Sequence, residues 1–136
     1  EVVPFLIKLL KSWHPDRRYQ AIRALGIIGD ERAIKSLLEI VEKGENKENK
    51  NYKPALFSLC QIGYEPVHSI VLEMFRRPDG VRNGSTTMMQ YIGTSADIPV
   101  LEAMLSKVQG SDVNARLDRS GIKKAIESIK QREGIQ

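Results

Sequence analysis

The sequence predicts an all-α fold built from repeated helix, glycine turn, helix units. Three observations carry that reading. Ile-Gly recurs as Ile28-Gly29, Ile62-Gly63 and Ile92-Gly93, spaced 34 and then 30 residues apart. The residues after each glycine share one helical register, and the residues before it share another. Self-similarity at a period of thirty-odd residues marks a repeat architecture rather than three unrelated turns.

With each glycine set as zero, positions +5, +8, +11 and +12 are Ile34, Leu37, Ile40 and Val41 in the first copy. The second copy has His68, Val71, Met74 and Phe75, and the third Ile98, Leu101, Met104 and Leu105. Spacings of three and four place them on one helix face. Ahead of the glycine, positions −8, −5, −4 and −1 are Ala21, Ala24, Leu25 and Ile28, then Ala55, Ser58, Leu59 and Ile62, then Ser85, Met88, Met89 and Ile92. Small residues at −8 and −5 allow a neighbouring helix to approach closely. The glycine is expected to close the helix with a left-handed cap.

Both ends of the chain fit this frame. Val3, Leu6, Leu9 and Leu10 match +5, +8, +11 and +12, with Pro4 at +6 like Pro99. Proline is tolerated there, early in a helix. Ile122, Ala125, Ile126 and Ile129 match −8, −5, −4 and −1, with Lys130 in place of the glycine. The expected helices span about 2–12, 16–28, 31–43, 52–62, 65–77, 80–92, 96–108 and 113–132. Pro15, Asp16, Asp79 and Asp112 suit helix starts, and the polar run at 45–51 reads as a solvated, mobile loop. We expect one domain over 1–136, a piece of a longer chain opening on a second helix and closing on a first. Its units are 1–13 (partial), 14–50, 51–78, 79–109 and 110–136 (partial).

Composition narrows the function classes. Apolar residues make up 41% and charged residues 28%, which suits a folded core. The apolar opening, residues 2–10, is interrupted by Lys8 and is too short to span a membrane. Net charge is +4, spread as 11 basic against 9 acidic residues in 1–68 and 10 against 8 in 69–136. Such a balance permits weak attraction to nucleic acid without demanding it. The single Cys60 excludes an internal disulfide framework and a cysteine-rich metal site.

At residues 14–44, HPDRRYQAIRALGIIGDERAIKSLLEIVEKG, the pattern resembles HEAT repeats, in the short variety labelled phycobilisome-lyase HEAT-like. Its arginine, small residues, leucine, Ile-Gly turn and following apolar helix are the shared features. The second unit departs with Tyr52 in place of the arginine and His68 in place of a branched apolar residue. The third carries the weak helix stretch Gly84-Ser85-Thr86-Thr87. The resemblance implies a curved α-solenoid of stacked helix pairs, in which second helices line a concave surface that holds partners. One pair cannot bury its apolar face alone, so stacking makes the core continuous. It transfers no lyase activity to this chain.

Residues that could carry chemistry are sparse. His14 and His68 lie in different units, and no His, Cys or Asp cluster has metal-ligand spacing. His68 reads first as a satisfied core histidine, then as a ligand or pH switch. Cys60 reads as a buried thiol. Glycines are spaced by repeat and not by phosphate geometry. No catalytic residue, metal or cofactor is expected.

Lys11, Lys43, Arg76, Arg77 and Lys107 recur at +13 or +14. They read first as cations complementing helix C-termini, then as a stripe for an anionic partner. Arg18, Arg82 and Arg119, all at −11, read as a ladder bridging adjacent units. Trp13 is either an exposed anchor or a cover for a unit junction. Partner-binding candidates are the solvent positions of second helices: Lys35, Glu39, Glu42, Ser69, Glu73, Arg76, Glu102 and Lys107. Their mixed signs suit a protein partner, or another domain of the parent chain, better than a polyanion. Nucleic-acid binding on a basic edge or concave surface is the alternative.

Overall fold

Eight α-helices and three short 3-10 turns, with no β-strand, form the chain in the computed structural model, which describes residues 1–136. The helices are α1 (Val2–Leu9), α2 (Pro15–Ile28), α3 (Ile34–Glu42), α4 (Tyr52–Ile62), α5 (His68–Arg76), α6 (Ser85–Ile92), α7 (Ile98–Lys107) and α8 (Val113–Glu133). The 3-10 turns Glu31–Ala33, Glu65–Val67 and Ser95–Asp97 each lead into a second helix. The chain divides into two compact units, Glu1–Val67 and His68–Gln136. The division falls inside the expected unit 51–78, between α4 and α5.

In the first unit α1 packs on α2, and α4 packs on both α2 and α3. Ile22, Leu25, Leu37, Leu56 and Leu59 are wholly buried there. Each such side chain contributes about 1.5–3 kcal/mol on leaving water. The small residues expected to permit close approach do so. Ala21 and Ala55 are buried, and the Ser58 hydroxyl donates to the Ile22 carbonyl at 2.7 Å. Gly26 completes the contact, because a Cβ added there would lie 2.6 Å from Ser58 Oγ and 2.9 Å from its Cα.

In the second unit α5 packs on α6, while α6 and α7 both pack on α8. Its buried set includes Val71, Met74, Phe75, Met89, Leu101, Ile122 and Ile129. Every one of these was placed on a core face by the register.

Several local expectations are corrected. Gly29 (φ 76°) and Gly63 (φ 87°) are left-handed caps, but Gly93 is extended at φ −64° and ψ 153°. Space, not handedness, requires glycine there: a Cβ would meet Ile129 Cδ1 at 2.6 Å and the Met89 carbonyl at 2.7 Å. Lys130 ends nothing, since α8 runs on to a left-handed Gly134. Ile28, expected on the core face, is 46% exposed. The buried slots that the register overlooked are −7 (Ile22, Leu56, Thr86) and +4 (Ala33, Val67, Asp97).

Helix α6 starts at Ser85 instead of about 80, and Asp79 does not cap it. Residues 80–85 are instead tied to the end of α5 through Asn83 and closed on themselves through Ser85. Asn83 Nδ2 donates to the Met74 carbonyl at 2.7 Å, and Ser85 Oγ donates to the Gly80 carbonyl at 2.8 Å. Asp112 does cap α8, accepting the Ala115 N–H at 2.8 Å.

Replacing Gly26 with alanine tests the α2–α4 approach. The substitution gains about 1 kcal/mol of helix propensity, yet overpacking against the Ser58 backbone costs about 1–3 kcal/mol. A net loss of stability in urea unfolding is expected; a variant more stable than the parent would show that the helices are not this close.

Candidate functional site

The solvent side of each second helix is set by what the other side must bury. In α3, Leu37 and Val41 face the core, so Lys35, Glu39 and Glu42, spaced by four and three, share the opposite face and are exposed. In α5, Val71, Met74 and Phe75 are buried, and Ser69, Glu73 and Arg76 occupy the equivalent exposed positions. In α7, Glu102 and Lys107 are exposed as well. Five residues separate them, about 140° around the axis. They therefore do not share one stripe. The α7 positions equivalent to Lys35, Glu39 and Glu42 are Pro99, Ala103 and Ser106, all exposed and uncharged.

Of the basic residues at +13 and +14, Lys11 and Lys43 of the first unit line one open pocket. The −11 arginines act on the ends of preceding second helices. Arg18 Nη1 donates to the Ser12 carbonyl at 2.6 Å just past α1, and Arg119 Nη1 reaches the Val108 carbonyl at 3.4 Å past α7. A guanidinium there satisfies carbonyls that a helix end leaves unpaired. Arg82 differs because α6 begins late, and it pairs with Asp118 at 3.1 Å. Trp13 covers no junction. Its side chain is 85% exposed, with its ring centroid 5.1 Å from that of His14.

His68 is held by a residue that sequence reasoning missed. Its Nε2 lies 2.6 Å from Oδ2 of Asp97, which is 3% exposed. The same oxygen accepts the Thr94 N–H at 2.8 Å and faces the Thr94 hydroxyl at 3.3 Å. A carboxylate calls for the Nε2–H tautomer. The signal was legible as Thr94-Ser95-Ala96-Asp97, a capping-box spacing at a 3-10 turn. Asp97 takes the +4 slot where Ala33 and Val67 stand, and His68 is its polar match at +5. The pair puts polar side chains at positions where the other copies carry Ala33, Val67, Ile34 and Ile98, and it forms part of the packing of the second unit. No group of three or more His, Cys, Asp and Glu residues is placed to hold a metal.

Cys60 is buried, and loss of hydration pushes its thiol up from 9.0 to about 12. The folded value is the raised one, so the neutral thiol favours the folded state fully below pH 9. That contribution is lost as pH rises toward 12. On the surface, Arg32 forks between Asp30 at 2.7 Å and Glu1 at 2.6 Å. Its guanidinium holds the Asp30 carboxyl down at about 2.

Residues 1–52 match the family model described as HEAT repeats. The match takes in most of the first unit, including the whole motif at 14–44. No curated protein sequence matches the chain. Eight helices in contacting pairs make an all-α fold, and with the match over residues 1–52 that fold is consistent with a HEAT-like helical solenoid. No helix is long and apolar enough to cross a membrane.

Two outcomes check these assignments. Asp97→Ala removes a buried acceptor and should cost about 1–3 kcal/mol. The double variant Asp97→Ala with His68→Ile restores the pattern of Ala33 and Ile34, and should cost at least about 0.5 kcal/mol less than the sum of the singles. Strict additivity in thermal unfolding would mean that the pair is not coupled. Cys60 should resist a thiol reagent at pH 8 in the native protein and react at once in denaturant; fast native labelling would contradict its burial.

Proposed function

We propose that the chain is a non-enzymatic interaction module, which scaffolds a protein partner or another domain of its parent chain through the solvent side of its second helices. The observation that carries this reading is the repeat itself. The HEAT-repeat match over 1–52 joins a surface where Lys35, Glu39 and Glu42 stand together, opposite the buried Leu37 and Val41. HEAT repeats generally serve as protein-interaction scaffolds. The finer subtype we favour is the phycobilisome-lyase HEAT-like one, on the strength of the 14–44 motif alone.

Mixed charge supports a protein partner. Lys35 and Glu39 on α3, and Glu73 and Arg76 on α5, offer both signs within one turn of each other. Such a pattern selects a complementary surface and repels a uniform one. The reading extends to Ser69, Glu102 and Lys107 as contact positions. Nucleic-acid binding is the second reading, supported by the basic residues at +13 and +14. It would show affinity that falls steeply with salt.

The test is backbone hydrogen exchange of the captured complex, paired with Glu39→Lys, Glu73→Lys and Arg76→Glu variants. Protection is expected on α3, α5 and α7, and each reversal should weaken capture by roughly fivefold or more. Protection confined to α2, α4, α6 and α8, with capture unchanged by all three variants, would overturn the proposal.

A further inference from the structure

The first unit holds an open pocket of about 920 Å³ between the turn that follows α1 and the loop that joins α3 to α4. Its composition is unlike the rest of the surface. Leu10, Trp13 and Ile40 supply apolar walls, and Lys11, Arg18, Lys43 and Lys50 bring four cations against a single acid, Glu48. Elsewhere in residues 1–67 the two signs nearly cancel, 7 basic against 8 acidic. The positive charge is therefore concentrated in this pocket.

The pocket is also braced. Arg18 is pinned by the Ser12 carbonyl at 2.6 Å. The loop at 45–51, expected to be mobile, is bonded to α3 through Asn49. Its Nδ2 donates to the Ile40 and Gly44 carbonyls, both at 2.8 Å, while Asn46 Oδ1 accepts the N–H groups of Glu48 and Asn49 at 3.1 and 3.0 Å. Lys43 and Lys50 thus stand on a backbone whose course is set, and neither they nor Lys11 is engaged in an ion pair. Trp13 stands 85% exposed at the rim. The exposed indole and the cations thus line the same opening.

We infer that this pocket binds a short acidic peptide segment carrying one apolar side chain, with the carboxylates on the lysines and Arg18 and the apolar group against Trp13. The inference rests on the protein-interaction reading and names the chemistry of one contact. Charge complementarity selects the occupant. The corresponding groove of the second unit, between the turn after α5 and the turn after α7, presents Asp79, Asp112 and Asp118 against Arg82 alone. Cationic character is thus one pocket deep and is not repeated with the units, which fits a short motif and not a long polyanion.

Trp13 is the only tryptophan, so its fluorescence reports this pocket directly. The probe is a synthetic heptapeptide of six acidic residues around a central leucine, with a neutral glutamine version and a seven-nucleotide oligothymidylate as comparisons. The acidic peptide should shift the emission to shorter wavelength, saturably, and weaken as salt shortens the reach of the lysines. Lys43→Glu with Lys50→Glu, both exposed sites, should weaken it by roughly tenfold or more. Lys53→Glu, an exposed cation on α4 outside the pocket, should leave it unchanged, and the second helices are read separately by hydrogen exchange, so failure here and failure of the second-helix reading are distinguishable. The proposal is overturned if the acidic peptide gives no shift at millimolar concentration, if the neutral peptide or the double variant binds equally well, or if the oligothymidylate binds more tightly.

Discussion

The close approach of first helices is the constraint on which each unit depends. In the first unit it is made by Gly26 on α2 against Ser58 on α4, sealed by the hydroxyl of Ser58 on the Ile22 carbonyl. In the second, Gly93 leaves room for Ile129, because a Cβ there would lie 2.6 Å from Ile129 Cδ1. Only small residues let backbones come this near, and only then do the long side chains beside them interdigitate without voids. Ile22, Leu25 and Leu59 are buried as a consequence. With the first helices locked, the second helices have one face committed to the core and one face left for solvent.

That division of faces separates stability from binding. Stability resides at +4, +8 and +12, where Ala33, Leu37 and Val41 are buried. The exposed residues between them bear little of it, so they are free to carry charge of either sign. The second unit uses one of its core slots differently. Asp97 and His68 place a polar pair at the register positions that Val67 and Ile34 hold in the first unit, and Thr94 satisfies the carboxylate that would otherwise be costly to bury. Polar satisfaction at a turn thus takes over a task done elsewhere by apolar contact.

Charge in the molecule is local. A net +4 spread evenly along the chain conceals a pocket with four cations and one acid in the first unit, and its acidic counterpart in the second. The arginines at −11 show a similar division of labour. Arg18 and Arg119 serve helix ends, whereas Arg82, stranded ahead of a shortened α6, finds a carboxylate instead. Equivalent positions in a repeat therefore share geometry without sharing partners.

Sequence alone determined the all-α class, the helix pairs and most of their core, because a period of 3.6 and an Ile-Gly beat are properties of spacing. Leu37, Val71 and Leu101 could be assigned to one buried slot with no coordinates. The exposure of Lys35, Glu39 and Glu42 followed from the same period. Tertiary structure decided what spacing cannot express. Gly93 looks like Gly29 and Gly63 in sequence, but its role is to make room for Ile129, a residue thirty-six positions away. The spacing of Thr94 and Asp97 marks a helix cap, but nothing in it points to His68, which only the packing of the second unit brings to Asp97. The cationic pocket likewise draws Lys11 from the turn after α1, Arg18 from the start of α2, and Lys43 and Lys50 from the ends of a loop. Local periodicity cannot bring these together, because their meeting depends on how α1, α2, α3 and α4 fold back on one another.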